Sequence, residues 1–289
     1  FIQLPFDIGG LERVPETLTF EYSVLLEEEP DHRGFLLVEH NWATGTFANE
    51  NQISLVFSPS SRRQDFDLTS SGVWQGFRAV VGLGVEHIWM GVDHVLFLIA
   101  LLLPAVMRRE DGRWQPVENF SAALIQVIKI VTAFTVAHSV TLSLAALGVL
   151  ELPGTFVEVV IAASIAIAAG DILVPLFRGR IWLVVFGFGL FHGFGFAGAL
   201  SEMGVLGEHL GLSLFAFNLG VEIGQVFIVA ALFPLLFLAR RLKWYRKVIL
   251  PAAAVFMILV SSAWVVERAF GVHFEMTRRA KSIIRSLFS

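Results

Sequence analysis

The chain has 289 residues, 55% of them hydrophobic and only 16% charged, with a formal net charge of −4 and a mean hydropathy of +0.71. A soluble domain of this length carries about 25% charged residues, so the composition excludes an ordinary water-soluble globular protein. With no cysteine, it also excludes a disulfide framework and a thiolate metal site. No P-loop or other nucleotide motif is present and no feature points to nucleic acid, so the lipid bilayer is the first partner the composition implies.

Residues 1–72 hold 12 Asp/Glu against 4 Lys/Arg, a balance of −8, while the remainder balances at +4. Phe1 is not followed by a charged segment and an apolar core, which predicts that any signal peptide has been removed. Three runs rich in β-branched and aromatic residues come first: TLTFEYSVLL (17–26), GFLLVEHNWA (34–43) and QISLVFS (52–58). The turn-forming stretches between them predict hairpins of a small antiparallel β domain over 1–72, with Gly72 as the hinge into the membrane.

Six apolar stretches come next, roughly 80–106, 120–149, 155–176, 181–203, 212–239 and 248–266. Each approaches or exceeds the ~20 residues that cross ~30 Å of hydrocarbon. The first two are longer than a bilayer requires, which predicts an interfacial segment, a break or a strong tilt in each. Arg108, Arg109 and Arg113 lie between spans 1 and 2, Arg178 and Arg180 between 3 and 4, and Arg240, Arg241, Lys243, Arg246 and Lys247 between 5 and 6. The alternate loops, ELPG and GVLGEHLG, have no basic residue. The positive-inside rule then places the three basic loops in the cytoplasm and the acidic β domain outside. The expected fold is thus a mainly α membrane protein: a six-helix transmembrane bundle over 73–267, preceded by the β domain. A basic amphipathic tail over 268–289 completes the chain, on the membrane surface. An even number of spans puts this tail outside, although it carries Arg268, Arg278, Arg279, Lys281 and Arg285.

Ionisable groups in the bilayer centre cost about 2.5–3.5 kcal/mol each on insertion scales, so they face the bundle interior and have a task there. The bland alternative is paired structural glue. Depth groups these residues. At ~1.5 Å per residue, Asp93 and His94 lie roughly 10 Å inside the outer boundary, His138 and His192 roughly 16 Å, Glu222 about 15 Å with Asn218 one turn shallower, and Glu158 about 5 Å. His87 and His94 are two turns apart and share a face, with Glu86 just ahead of them. Thr135, His138 and Ser139 share another, as do Asn218, Glu222 and Gln225. Glycines 187, 189, 193, 195 and 198 flank His192 and permit close helix approach, which small-residue packing explains equally well.

Imidazoles and carboxylates without thiolates suit a borderline divalent transition metal, Ni²⁺, Zn²⁺, Co²⁺ or Cu²⁺. The candidate ligands are His87, Asp93, His94, His138, His192 and Glu222. Asp93 can be a ligand or an acceptor that fixes an imidazole tautomer. Glu86, Glu158, Ser139, Asn218 and Gln225 are candidates for the metal path or for supporting the ligands. Lys129 and Asp171 are expected to form a structural ion pair, and His32, His40, His209 and His273 to be solvated.

The stretches HIWMGVDHVLFLIALLL, TAFTVAHSVTLSLAALG, VEVVIAASIAIAAGD, FGLFHGFGFAGAL and FNLGVEIGQ, in this order over most of 84–226, resemble the HupE/UreJ family. The resemblance implies a hydrogenase- or urease-associated nickel permease or accessory metal transporter in a bacterial inner membrane. By the same resemblance, His87, Asp93 and His94 correspond to the signature of the first membrane helix. Glu158 matches an E-x-x-I-A-x-S element and His192 the histidine of the fourth helix, while His138 and Glu222 sit in motifs of the branch with an extracytoplasmic N-terminal domain. Smaller members have an acidic residue where this chain has Gly195.

The expected function is a metal-ion permease or metal-handling accessory protein, not an enzyme, with an intramembrane His/carboxylate site opening outward. The β domain would gather cations or dock a protein partner. Two alternatives stand beside it. One is an intramembrane zinc hydrolase, with Ser139 near the metal and Glu222 or Glu158 as general base. The other is a non-catalytic subunit of a larger membrane complex.

Overall fold

A computed structural model of the chain describes residues 15–24, 26, 34–38, 41–42, 45–46, 54–67, 73–110, 112–177, 180–196 and 210–272. The expected hinge at Gly72, histidines 32, 40, 209 and 273, and the tail beyond Val272 lie outside the described residues. Two compact units emerge, one reaching Ala79 and the other starting at Val80.

In the first unit, β1 (Thr17–Glu21) pairs antiparallel with β4 (Arg63–Asp67), and β2 (Gly34–Leu36) with β3 (Leu55–Phe57). The first three strands fall inside the predicted runs; β4 does not. Its RQDFD sequence is dominated by charge, yet it alternates. Gln64 and Phe66 oppose Phe20 and Leu18 on a half-buried face, and Asp65 faces Thr19, whose hydroxyl donates to it at 2.6 Å.

The second unit is helical. Helix α1 (Val73–Met90) meets α2 (Val92–Ala105) at Gly91 with a bend of 68°. The length of the first apolar stretch is therefore explained by a break. A hairpin of β5 (Met107–Glu110) and β6 (Arg113–Pro116) leads to α3 (Phe120–Ala146), then α4 (Gly154–Leu173), α5 (Ile181–Phe194) and α6 (Leu210–Ala239). A π-helical turn (Tyr245–Ile249) runs into α7 (Leu250–Phe270). Among the described residues four helices, the last taken with its π-helical turn, are long and apolar enough to cross a membrane, or five if the bent pair is one broken span. The fourth expected span, 181–203, contains the 14-residue α5, ~21 Å long, with residues 197–209 outside the described set. Among the described residues, four or five of the six expected spans are therefore long and apolar enough to cross, and α5 is the one that falls short.

Local chemistry sets the helix ends. The Asn119 side chain caps α3 by accepting from the Ala122 N–H at 2.9 Å. Gly271, at φ 66°, ends α7, and Pro251 sits in its first turn. The expected Lys129–Asp171 ion pair is not formed. Lys129 is exposed, and Asp171 Oδ1 accepts from the backbone N–H groups of Leu176 and Phe177 at 2.7 and 3.1 Å, closing the turn after α4. An aspartate five residues before a Pro-containing turn has donors closer at hand than a lysine on another helix.

At the end of the bundle where α4 and α6 stop, arginines answer the free helix carbonyls. Arg109 Nη2 donates to Ile172 O at 2.6 Å and its guanidinium lies 4.5 Å from the Trp114 ring centre. Arg240 Nε reaches Val117 O at 2.7 Å and its Nη1 reaches Phe237 O; Arg241 pairs with Glu118 at 2.6 Å. The buried core between the helices is apolar, with Phe97, Leu102, Phe134, Ile165, Phe233 and Met257 at its heart. Large apolar side chains such as Phe215, Phe227, Leu238 and Phe256 point outward, as lipid contact requires.

Helix α3 packs along α5, and α4 along α7. The first contact depends on glycine: a Cβ at Gly189 would lie 2.6 Å from Phe134 O and 2.9 Å from Ala137 Cβ, while Gly187, two residues earlier, faces open space. Gly189→Val is expected to lower unfolding stability in detergent by roughly 1–3 kcal/mol through overpacking. Gly187→Ala is expected to leave it unchanged or raise it by up to about 1 kcal/mol. Equal effects of the two would show that the α3–α5 contact is not as tight as described.

Candidate metal centre

The break at Gly91 creates the centre. In a continuous helix, His87 and His94 would be separated by ~10.5 Å along the axis; across the bend their ring centres are 4.6 Å apart. Gly91 is required there because a Cβ would lie 2.6 Å from His87 O and 2.6 Å from His94 Nδ1. The close α3–α5 contact brings in the other two imidazoles. Gly193 on α5 sits against the His138 carbonyl and the Thr141 hydroxyl of α3, so the neighbouring His192 shares a level with His138.

The four rings form one cluster. His94 lies 5.2 Å from His192 and 6.5 Å from His138, and His87 is 6.3 Å from His138, centre to centre. Phenylalanines wall it. Phe97 and Phe134 pack on His192 at 5.4 and 5.0 Å; Phe196 and Phe217 pack on His87 at 4.0 and 5.4 Å. His138 and His192 are fully enclosed, at 0% and 2% exposure.

Six ring nitrogens in this cluster are buried without a hydrogen-bond partner: Nε2 of His87, both nitrogens of His94 and of His138, and Nδ1 of His192. The remaining nitrogen of His192 is accounted for. Its Nε2 lies 3.1 Å from Ser164 Oγ, which also lies 2.7 Å from the Ile161 carbonyl. A carbonyl only accepts, so the single hydroxyl hydrogen goes to Ile161 and His192 Nε2–H donates to Ser164. That tautomer leaves the Nδ1 lone pair free and aligned by a partner on its far side, as metal-binding imidazoles require.

Asp93, next to His94, is ion-paired: its Oδ2 accepts from Arg268 Nη2 at 2.7 Å, while Oδ1 is buried without a partner. Arg268 belongs to the last turn of α7 and not to a surface tail. Its Nη1 donates to the Glu158 carbonyl at 3.0 Å.

The other expected residues are dispersed. Glu222 is half-buried on α6 and has no hydrogen bond or ion pair among the described residues. Glu86 and the Glu158 side chain are exposed. Ser139 donates its hydroxyl to the Thr135 carbonyl at 2.7 Å. Asn218 donates to Leu214 O at 2.8 Å, leaving its Oδ1 buried and unpartnered. Gln225 accepts from the Thr135 hydroxyl at 2.7 Å and lines, with His94, Phe97, Phe134 and Val131, a cavity of ≈ 10 Å³, about the room of one water. Among the described residues, no group of three or more His, Asp or Glu side chains is placed to hold a metal ion as it stands. Ser164 and Arg268 are the additions that sequence reasoning missed. Ser164 stood in the E-x-x-I-A-x-S element beside the more conspicuous Glu158, whereas Arg268 was grouped with the basic tail.

The family model described as HupE / UreJ protein matches residues 63–268. The chain belongs to the HupE/UreJ family. This is a family associated with metal transport and with accessory roles around nickel. The HupE/UreJ match includes all four clustered histidines and Asp93, and its last residue is Arg268. No curated protein and no solved structure matches the chain.

Gly91→Val is expected to force the His87 and His94 rings apart. It should lower stability by roughly 1–3 kcal/mol and raise diethylpyrocarbonate labelling of both histidines, read by mass spectrometry. Labelling equal to that of the unaltered protein would show that the ring contact does not depend on this glycine.

Proposed function

We propose that this HupE/UreJ protein carries or holds a divalent transition-metal cation, acting as a permease or a metal-handling accessory protein. The cargo would be bound by His87, His94, His138 and His192. The observation that carries this reading is the set of six buried, unpartnered imidazole nitrogens contributed by α1, α2, α3 and α5. A buried polar atom left unsatisfied costs roughly 1–3 kcal/mol, and several in one place make sense where a ligand completes them. Imidazole donors with no thiolate nearby suit Ni²⁺, Zn²⁺, Co²⁺ or Cu²⁺ better than Ca²⁺ or Mg²⁺, which take oxygen ligands.

Binding requires the imidazoles to turn toward a shared point, and the packing leaves a means to do so. Among the described residues only His192 of the four is seen tied by a side-chain hydrogen bond, and the cavity beside His94 gives that ring room. Basic residues at the opposite end of the bundle favour that end inside, with the histidine centre open to the extracytoplasmic side. Cargo would then leave toward Gln225 and Thr135.

The hydrolase alternative is less well supplied. Ser139 spends its hydroxyl on a backbone carbonyl, the Glu158 side chain is exposed, and Glu222 is hydrogen-bonded to none of the imidazoles among the described residues. The arrangement favours carriage over the activation of water.

Protein reconstituted in liposomes is expected to take up Ni²⁺ or Zn²⁺, with uptake lost in His94→Ala and His192→Ala and largely kept in Glu222→Gln. Protein that neither binds nor moves any divalent transition metal refutes the reading. Ser164→Ala, which frees the far nitrogen of His192, is expected to weaken metal affinity about 10–100-fold while leaving the fold intact by circular dichroism. Unchanged affinity would show that Ser164 does not orient this ligand.

A further inference from the structure

Asp93 differs from the rest of the centre. One of its oxygens is buried and unpartnered, like the imidazole nitrogens, yet the other already holds a cation of the protein's own, Arg268 Nη2 at 2.7 Å. This is a semi-enclosed pair, with side-chain exposures of 21% and 23%, in which the charges are screened less than on a surface. Arg268 is also held elsewhere. Its Nη1 stays on the Glu158 carbonyl at 3.0 Å, and its guanidinium lies 5.6 Å from the Trp264 ring centre.

A carboxylate adjacent to His94 is the natural counter-charge for a doubly charged ion held by imidazoles. While Arg268 occupies it, an arriving cation finds that counter-charge neutralised and meets a positive group beside it. Without Arg268 and without cargo, Asp93 would be an uncompensated charge in a low-dielectric place, which is strongly destabilising. The two cations therefore compete for one carboxylate.

We infer that Arg268 is a tethered stand-in for the cargo, occupying Asp93 while the imidazoles are unloaded and releasing it to a divalent cation that binds them. The inference rests on the metal reading proposed above. Release has a path. With Nη1 anchored on the Glu158 backbone, the guanidinium can swing without losing every partner, and Glu158 carries a carboxylate that is exposed and free of ion pairs among the described residues. The planar fork of five donors suits such an exchange. It also explains why α7 sends a basic residue to the outer side of the bundle, against the charge pattern of the other connections.

The opposite role, in which Arg268 only orients Asp93 as a ligand, differs in sign. Removing an orienting group weakens metal binding; removing a competitor strengthens it. The test is Zn²⁺ titration of the full chain in detergent micelles, by calorimetry with a competing chelator. Arg268→Gln is expected to bind Zn²⁺ about 10-fold tighter, Arg268→Lys to stay near the unaltered protein because it keeps the charge, and Asp93→Asn combined with Arg268→Gln to lose the gain. A second measurement needs no change at Arg268. Zn²⁺ should alter tryptophan emission in the unaltered protein but not in Trp264→Phe, as the guanidinium leaves that ring.

An affinity in Arg268→Gln equal to or below that of the unaltered protein overturns the proposal. If that variant does not fold, the emission decides: a Zn²⁺ response identical with and without Trp264 overturns it. Unaltered protein without Zn²⁺ affinity refutes the metal reading and this inference together. Binding that needs His94 and His192 but ignores Arg268 refutes this inference alone.

Discussion

Buried polar groups need partners to replace water, and this protein buries six imidazole nitrogens that have none. A fold tolerates such groups when something else completes them. Backbone carbonyls do so at the arginine-rich end of the bundle, where Arg109 and Arg240 find Ile172, Val117 and Phe237. At the histidine end the described residues supply two supports, Ser164 beneath His192 and Arg268 beside Asp93. The asymmetry separates scaffold from site: one end is closed by its own hydrogen bonds, and the other is left incomplete.

Bringing the four imidazoles together takes three separate devices. A break turns His87 toward His94, a glycine face lets α5 settle onto α3 so that His192 meets His138, and phenylalanines from α2, α3, α6 and the turn after α5 fill the remaining space. The aromatic wall has an electrostatic effect as well as a packing one. It keeps water and other acceptors from the ring nitrogens, so a cation that enters interacts with them at low dielectric.

Much of this was legible in the sequence, and the reason is the bilayer. A fixed thickness of hydrocarbon sets the length of each apolar run, and the cost of burying an ionisable group marks which positions matter. Counting residues inward gave His138 and His192 one expected depth and set His94 roughly 6 Å shallower, close enough to group them. The excess length of the first stretch left an interfacial segment, a break or a strong tilt open, and the chain takes the break. The same counting gave Glu222 a depth but could not say which way it faces, since depth fixes a position along a helix and leaves its azimuth to packing. Lys129 and Asp171 failed for a related reason: each was matched to a distant charge, although Asp171 had backbone donors within six residues. Strand β4 and the β5–β6 hairpin were hidden by charge, although Asp111-Gly112 is a strong hairpin dipeptide. Arg268 was hidden by its place at the head of a segment that holds Arg278, Arg279, Lys281 and Arg285, because such a residue reads as surface until a carboxylate from 175 positions away is seen against it.

The kink and the number of residues across it are a single feature. One residue fewer between His87 and His94 would rotate the second imidazole by ~100° about its helix and carry it toward lipid. The seven-position interval from His87 to His94 is therefore part of the geometry, and its length matters as much as the identity of the residues that fill it.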